Sequence, residues 1–122
     1  MPSEKFVLET DGHKLKRVLQ ILISNAIQYS PKYGKIKVTL EQKNGQVLFE
    51  VKDSGIGIRK EDLPNIFTKF FRTDEARHLA PDGLGLGLFI AKSYIEGMAG
   101  KIGVKSEGLG RGSTFWFILP AK

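Results

Sequence analysis

Apolar residues recur at helical spacing near the start of the chain. From Leu15 they occupy positions 15, 18, 19, 22, 23 and 26, which is the repeat of one face of a helix. Thr10 or Asp11 offers an N-cap before this stretch, and Pro31 ends it. Residues 5–9, which precede the cap, are compatible with a short strand. The pattern therefore predicts a short strand followed by a long amphipathic helix.

Strict alternation replaces the helical repeat after this helix. Every second residue is apolar over residues 36–40 and again over residues 47–51, and Asn44 and Gly45 lie between the two stretches. An Asn-Gly pair between alternating segments is the strongest short-range signal for a tight hairpin turn. The pattern predicts that these two segments form an antiparallel hairpin.

The following part of the chain mixes short apolar stretches with glycine. A short helix is predicted over residues 60–66, before the aromatic cluster of residues 67–72. Residues 73–83 are polar and contain proline and glycine, so they are predicted to form a mobile loop. The glycine-rich segment 83–88 then leads into an apolar helix that ends at about Gly97.

Two further strands are predicted at the end of the chain. They cover residues 101–106 and 114–119, with a glycine-rich turn at residues 107–112 between them. The order of helix, hairpin, helices and hairpin predicts an α/β (α+β) fold in two layers, with a mixed, mostly antiparallel sheet packed on about three helices. A doubly wound parallel sheet fits poorly because the strands come in hairpins.

The size and composition of the chain are those of one folded domain. It has 122 residues and a mass of 13.6 kDa, and a compact fold of this size buries about two thirds of the unfolded chain's surface. Disorder is not expected, since 41% of the residues are hydrophobic and 26% are charged. No apolar run reaches the length of a membrane span, and the start lacks the apolar core of a signal peptide. We therefore expect a single soluble, cytoplasmic domain over residues 1–122, or one domain cut from a larger protein.

Cysteine content and charge limit the kinds of site and partner that the chain can have. The chain has no cysteine, which excludes disulfides, cysteine nucleophiles and thiolate metal sites. Two histidines, His13 and His78, are too few for a histidine-rich metal centre. The net charge of +6 favours an anionic partner such as nucleic acid, an acidic membrane surface, phosphates or an acidic protein. The basic residues are spread singly, however, and an ordinary solvated surface explains them equally well.

The placement of glycine is more informative than the charge. Glycines stand at both ends of residues 55–57 and at every second position of residues 83–87. This spacing permits positive φ and close approach of backbone N–H groups to a ligand, and the second cluster opens a helix, whose N-terminus attracts phosphate. Leu88 stands where a Walker P-loop needs its lysine, and Ile90 stands where a Rossmann fingerprint needs its third glycine. Spacing therefore excludes both of these phosphate-binding motifs.

Two polar residues accompany these glycines. Asp53 ends an apolar strand, where its carboxylate can accept a hydrogen bond from a ligand amino group or can cap a turn. Asn25 shares one edge of the first helix with Ile21 and Gln28, where its amide can bond a neighbouring element or bind Mg²⁺. The local sequence leaves these alternatives open.

Three basic residues, Lys69, Arg72 and Arg77, flank the predicted loop. Their side chains can pair with phosphate groups of a ligand. Asp74 and Glu75 lie beside them, so an ordinary surface of mixed charge is the alternative.

Four segments, taken in order, resemble the boxes of one family. Residues 25–31 (NAIQYSP) resemble its N box, 53–57 (DSGIG) its G1 box, 67–72 (FTKFFR) its F box and 83–88 (GLGLGL) its G2 box. Residues 99–120 also resemble its last hairpin. The family is the catalytic, ATP-binding domain of bacterial sensor histidine kinases. The resemblance covers nearly the whole chain and implies the Bergerat-type ATP-binding sandwich shared with gyrase B, Hsp90 and MutL.

The resemblance implies a role for each matching position. The G1 aspartate of the family binds the adenine amino group, which implies this role for Asp53, with Gly55 and Gly57 shaping the adenine pocket. The N-box asparagine binds the Mg²⁺ that bridges the phosphates, which implies Asn25. Tyr29 matches an aromatic residue that lines the nucleotide pocket. ATP and Mg²⁺ are therefore the implied cofactors.

The phosphate side of the site is implied in the same way. Residues 72–88 match the lid and the glycine loop that close over the phosphates. Arg72 matches a basic residue that reaches them, and Arg72 and Asn25 are the implied catalytic residues. Thr114 matches a hydroxyl near the adenine-binding aspartate. The remaining predicted nucleotide-binding residues are Lys69, Gly83, Leu84, Gly85, Leu86, Gly87 and Leu88.

Three positions depart from the family's pattern. Ile21 replaces an asparagine, Gln28 replaces a lysine, and Phe71 replaces a tyrosine that often precedes the F-box arginine. One polar contact and one positive charge near the phosphates are therefore missing. We expect nucleotide binding to survive, either with another cation facing the phosphates or with an affinity that depends more on adenine. Among the basic residues that flank the loop, Arg72 is the preferred candidate.

The resemblance implies a protein-histidine kinase of a two-component system. The chain would bind ATP with Mg²⁺ and donate the γ-phosphate to a histidine on a separate dimerisation domain, with a response regulator as the further partner. His13 and His78 lack the context of that histidine and are predicted to be surface residues. The alternatives are an anti-sigma-type protein-serine kinase and a nucleotide-sensing module without catalysis. Neither nucleic acid nor direct membrane contact is expected of this domain.

Overall fold

The computed structural model describes residues 11–79 and 83–120, so the strand predicted over residues 5–9 lies outside the described residues. This part of the chain forms three α-helices, one short 3₁₀-helix and four strands. In chain order they are α1 (Gly12–Tyr29), β1 (Ile36–Lys43), β2 (Gln46–Asp53), the 3₁₀-helix (Leu63–Asn65), α2 (Asp74–Leu79), α3 (Gly87–Gly97), β3 (Lys101–Lys105) and β4 (Ser113–Pro120).

Helix α1 begins at a side-chain cap. The Asp11 carboxylate accepts hydrogen bonds from the backbone N–H groups of His13 (3.0 Å) and Lys14 (3.1 Å), which have no partner within the helix. At the other end Ser30 is extended before Pro31, as a residue that precedes proline prefers. The predicted helix and its N-cap at Asp11 are thus confirmed. The buried face of α1 consists of Val18, Ile21, Leu22 and Ala26.

The four strands form one sheet in the order β1-β2-β4-β3. Between β1 and β2, Asn44 (φ 54°) and Gly45 (φ 75°) are both left-handed, as a type I′ hairpin turn requires. Strands β3 and β4 also pair antiparallel, so both predicted hairpins are confirmed. Within residues 11–79 and 83–120 every strand pair is antiparallel, and the mixed pairing expected of the sheet is not found there.

Helices α1 and α3 cover one face of the sheet and share a single core with it. Successive side chains of a strand point to opposite faces, and one alternate set from β2 and β4 is buried under the helices. In that set Phe49 and Phe117 stack with ring centroids 5.0 Å apart. The predicted two-layer α/β sandwich is confirmed. The edge strand β1 departs from the expected alternation, because Val38 is 51% exposed.

The helix predicted over residues 60–66 is not found at that length, so this prediction was wrong. Only the short 3₁₀ segment Leu63–Asn65 is helical, with Pro64 in its first positions. Proline lacks a backbone N–H and therefore suits a helix start but not a helix interior. Within the part of the chain that the structure describes, no helix is both long enough and apolar enough to cross a membrane.

The segment predicted to be a loop over residues 73–83 contains helix α2, so that prediction was wrong for residues 74–79. The Thr73 hydroxyl caps the helix by accepting a hydrogen bond from the Ala76 N–H at 3.0 Å. Asp74 and Glu75 occupy the first turn, where the helix dipole favours acidic side chains. None of the six residues of α2 is buried.

Candidate nucleotide-binding site

A cavity of about 530 Å³ lies between α1, the adjacent ends of β2 and β4, and the segments that flank α2. Cavities of this size hold ligands such as cofactors and nucleotides. Its lining residues come from distant parts of the sequence, namely residues 17–29, 53–58, 66–76, 83–90 and 113–115. The cavity is therefore a product of the fold and not of one local motif.

Asp53 is the buried carboxylate of this cavity, with a residue exposure of 5%. Its Oδ1 accepts hydrogen bonds from the backbone N–H groups of Gly55 (2.8 Å) and Ser113 (3.3 Å). Its Oδ2 accepts a bond from the Ser113 hydroxyl at 3.0 Å. A carboxylate offers about four lone-pair positions, so one acceptor position on Oδ2 remains for a donor on a ligand. Asp53 can thus accept a hydrogen bond from a ligand amino group.

The hydroxyl beside Asp53 belongs to Ser113 and not to Thr114, which corrects the sequence-based assignment. Ser113 stands directly opposite Asp53 in the β2–β4 register, whereas Thr114 stands opposite Lys52. Because neighbouring residues of a strand point to opposite faces, Thr114 is directed away from the cavity. The resemblance assigned the hydroxyl near Asp53 to the residue that follows Ser113. A shift of one residue along a strand moves a side chain to the other face of the sheet.

One face of α1 forms a wall of the cavity. Asn25, Ile21 and Gln28 all line it, so the predicted edge of the helix does face the site. Tyr29 lines the same cavity one turn beyond Asn25. The sequence analysis missed Arg17, which lines the cavity from the same helix. A periodicity argument could have found it, since Arg17 and Gln28 are eleven residues apart and differ by about 20° around the helix axis.

Arg72 lies in the cavity and connects three segments. Its guanidinium donates hydrogen bonds to the carbonyl oxygens of Gly83 (3.1 Å) and Ala76 (2.9 Å) and, at 3.5 Å, to the Tyr29 hydroxyl. The arginine thereby joins both flanks of α2 to the end of α1. Arg72 lies at the cavity, as the sequence predicts, and protein oxygens accept hydrogen bonds from three of its five N–H donors.

The glycine loop lines the cavity along its whole length, from Gly83 to Leu88. Gly85 adopts a φ of 72°, and a Cβ there would lie 2.8 Å from the backbone of Phe70 and Phe71, so a larger residue has no room. Helix α3 begins directly after the loop, and its N-cap Leu86 makes no side-chain capping bond. The first backbone N–H groups of α3 are therefore suited to bind an anion at the cavity.

Four residues that the sequence suggested for the site do not line the cavity. The Lys69 Nζ lies 5.3 Å from the ring centroid of Phe70 and 5.8 Å from that of Phe89. Lys69, Arg77 and Thr114 are all absent from the cavity lining. Gly55 packs against the Tyr29 carbonyl oxygen so closely that a Cβ would have no room there. Gly55 therefore supports the site by close packing, whereas Gly57 lines it directly.

The metal-binding capacity of the site is small. Among residues 11–79 and 83–120 no group of three or more His, Cys, Asp or Glu residues could hold a metal ion. Asn25 offers one amide oxygen at the cavity. That donor set suits an ion that takes most of its ligands from bound phosphates and water, as Mg²⁺ does.

The sequence of the chain is similar to characterised ATPases and kinases. Residues 10–122 match the family described as histidine kinase-, DNA gyrase B-, and HSP90-like ATPase. The chain is 39% identical over 124 residues to sensor histidine kinase WalK of Bacillus subtilis, a match that covers all of this chain and 20% of WalK. It is 40% identical over 119 residues to histidine-protein kinase ArlS of Staphylococcus aureus, covering 98% of this chain and 26% of ArlS. The chain thus spans about a quarter or less of these curated relatives.

Solved structures also superpose on this chain. The mycobacterial sensor histidine kinase MprB superposes with a TM-score of 0.85 at 28% identity, over 95% of this chain and 77% of that one. The catalytic domain of histidine kinase ThkA superposes with a TM-score of 0.79 at 35% identity, over 93% of this chain and 71% of that one. Full-length ShkA in complex with AMPPNP gives a TM-score of 0.73 at 32% identity, over 88% and 21% of the two chains.

Proposed function

Because this chain belongs to the family of histidine kinase-, DNA gyrase B-, and HSP90-like ATPases, we propose that it is the ATP-binding catalytic domain of a two-component sensor kinase. In this role it binds ATP and donates the γ-phosphate to a histidine on a separate dimerisation domain. A response regulator is the final acceptor of the phosphoryl group. The sensor histidine kinases WalK and ArlS, to which the chain is similar, support this class of reaction.

The buried carboxylate of Asp53 is the observation that supports nucleotide binding most directly. Three donors already bind it, Asp53 lines the cavity, and one acceptor position on Oδ2 is left for a donor on a ligand. The exocyclic amino group of adenine is a donor, so adenine fits this position and a base with a carbonyl there does not. A buried acceptor left without its donor costs about 1–3 kcal/mol, which is the origin of the selectivity.

The phosphate side of the cavity is built from different groups. The glycine loop brings backbone N–H groups and the N-terminus of α3 to the cavity, and Arg72 adds a guanidinium. Asn25 would contribute an amide oxygen to a Mg²⁺ ion held mainly by the phosphates. When bound, that ion would neutralise part of the charge on the β- and γ-phosphates.

The chain itself does little covalent chemistry in this proposal. Its residues bind adenine at Asp53, orient the triphosphate between α1 and the glycine loop, and offset the negative charge of the phosphates. The attacking imidazole belongs to the separate dimerisation domain. His13 and His78 are exposed and lie outside the cavity lining, so neither is positioned to accept the phosphoryl group.

Phosphoryl transfer from radiolabelled ATP to a supplied histidine-bearing dimerisation domain tests this function. We expect acid-labile label on the histidine of that domain, dependent on Mg²⁺. Acid-stable label on a protein serine would instead support the anti-sigma-type serine kinase. Nucleotide binding with no transfer to either acceptor would reduce the function to that of a nucleotide-binding module.

A further inference from the structure

Positive charge is scarce in the cavity. Of the described residues that line it, only Arg17 and Arg72 are basic, and Asp53 is the only acidic one. A nucleoside triphosphate with Mg²⁺ still brings net negative charge into this space. The two arginines are therefore the only side chains in this lining that can offset it by direct ion pairing.

The two arginines differ in how far their donors are already used. Arg72 donates to three protein oxygens, those of Gly83, Ala76 and Tyr29. The Arg17 guanidinium has no hydrogen bond or ion pair with any residue in the ranges 11–79 and 83–120, whereas its backbone belongs to α1. Within these ranges no protein acceptor uses the five N–H donors of its guanidinium, which can therefore bind a ligand.

Helix geometry places Arg17 at the end of the cavity that is far from Asp53. Asp53 lies next to the C-terminal end of α1, since Gly55 packs on the Tyr29 carbonyl and the Ile56 N–H donates to it at 3.2 Å. Arg17 precedes Tyr29 by twelve residues, which is about 18 Å along the helix axis, and precedes Asn25 by about 12 Å. A nucleotide with its adenine at Asp53 and its phosphates extended along α1 would pass Asn25 and bring its terminal phosphate toward Arg17.

We propose that Arg17 binds the terminal phosphate of ATP and makes this chain prefer a nucleoside triphosphate to a diphosphate. The inference rests on the proposed function, because it needs adenine at Asp53. The planar guanidinium can donate two parallel hydrogen bonds to one phosphate, which an ammonium group cannot do. The contact is made only when the third phosphate is present, so Arg17 acts on specificity and not on adenine binding.

Titration calorimetry with AMPPNP and with ADP, both with Mg²⁺, tests this assignment. We expect Arg17→Gln to weaken AMPPNP binding about tenfold, the size of a charge-assisted hydrogen bond that is partly exposed, and to leave the affinity for ADP nearly unchanged. Arg17→Lys should give an intermediate loss, since it keeps the charge but not the fork. Lys16→Gln is the matched control, because it removes the same charge one residue away, outside the cavity lining.

The possible outcomes separate this inference from the proposed function. The contact is supported if Arg17→Gln lowers the ratio of AMPPNP affinity to ADP affinity more than Lys16→Gln does. Equal effects in the two variants, or an unchanged ratio in Arg17→Gln, overturn it while ADP binding leaves the proposed function in place. A wild-type chain that binds neither nucleotide overturns the proposed function itself. Unchanged ADP binding also shows that the Arg17→Gln variant is folded.

Discussion

Asp53 and Ser113 show how two single residues form the most buried polar part of the site. The two residues stand opposite each other at the ends of β2 and β4, and the Asp53 carboxylate receives both donors of Ser113. These bonds orient the carboxylate and replace the water that it loses on burial. The remaining acceptor position is therefore presented to a ligand in a fixed direction.

Replacing Asp53 with asparagine should weaken ATP and ADP binding by roughly five- to 150-fold, or about 1–3 kcal/mol. One carboxylate oxygen becomes an NH₂ group, which faces the donor of adenine with a second donor. Titration calorimetry measures the affinity, and Glu50→Gln is the control, because it removes the same charge from the same strand near Lys105, outside the cavity lining. Equal affinities of Asp53→Asn and the wild type would remove Asp53 from the binding site.

The Ser113 hydroxyl gives a separate prediction at the same scale. Ser113→Ala should reduce nucleotide affinity by about 1 kcal/mol, or roughly fivefold, because Asp53 loses the bond that orients Oδ2. Thr114→Val, one residue along the strand, should leave the affinity unchanged. Calorimetry on the two variants compares them directly. A loss of affinity in Thr114→Val alone would contradict the register that places Ser113 at the site.

The sequence could predict some residues of the site but not others. Asp53 and the glycines were identified because a box motif fixes their positions within a few residues of each other. Thr114 was assigned wrongly because the distance from Asp53 along the chain is long, and a register error of one residue changes the face of the strand. Arg17 was missed because it precedes the N box by eight residues, on the same helix as Asn25, and no box motif marks its position.

At the scale of elements, local signals decided which predictions are confirmed. The first hairpin was predictable because Asn44 and Gly45 supply the two left-handed residues that its turn needs. Helix α1 was predictable from its apolar repeat and its cap at Asp11. Helix α2 was missed because its six residues bury no side chain and thus have no apolar repeat. Its only signal is the Thr73 cap followed by two acidic residues, which a composition argument overlooks.

Of the three α-helices in the part of the chain that the structure describes, α2 should be the least protected without nucleotide. Isolated helices this short are unstable in water, and α2 buries no side chain that could compensate. It is joined to the rest by Arg72 through Ala76 and by the Arg59–Glu75 ion pair at 3.1 Å, which is partly exposed. Its amides should exchange hydrogen rapidly without nucleotide and more slowly with ATP and Mg²⁺.

Hydrogen-exchange mass spectrometry on the whole chain measures this difference. Helix α3 is the internal control, because it buries Ala91 and Ile95 and should be protected with and without nucleotide. Protection of residues 74–79 equal to that of α3 in the ligand-free chain would contradict the prediction. The predicted mobility of residues 73–83 would then be wrong as well.

On the scale of the whole molecule, the helix layer and the sheet are not separable units. Buried residues of α1 and α3 belong to the same core as those of β2 and β4. The cavity is lined from all four of these elements. A nucleotide in the cavity therefore contacts both layers and should stabilise the fold as a whole, since it binds the native state and not the unfolded one.

We predict a single calorimetric unfolding transition that ADP with Mg²⁺ moves upward as a whole. At a hundredfold excess of ligand over its Kd, binding contributes about 2.7 kcal/mol, which corresponds to a rise in Tm of about 10 °C for a domain of this size. Differential scanning calorimetry at several ligand concentrations measures this shift, and the rise should grow with the logarithm of the concentration.

Variants of the two acidic residues of β2 make the prediction specific to the cavity. At one fixed ADP concentration, Asp53→Asn should show a smaller rise in Tm than Glu50→Gln, because only the first change weakens binding. Each variant is compared with its own ligand-free Tm, so a change in intrinsic stability does not enter the comparison. Two separate transitions, of which ligand moves only one, would contradict the shared core. Equal rises in both variants would show that the stabilising ligand binds somewhere other than at Asp53.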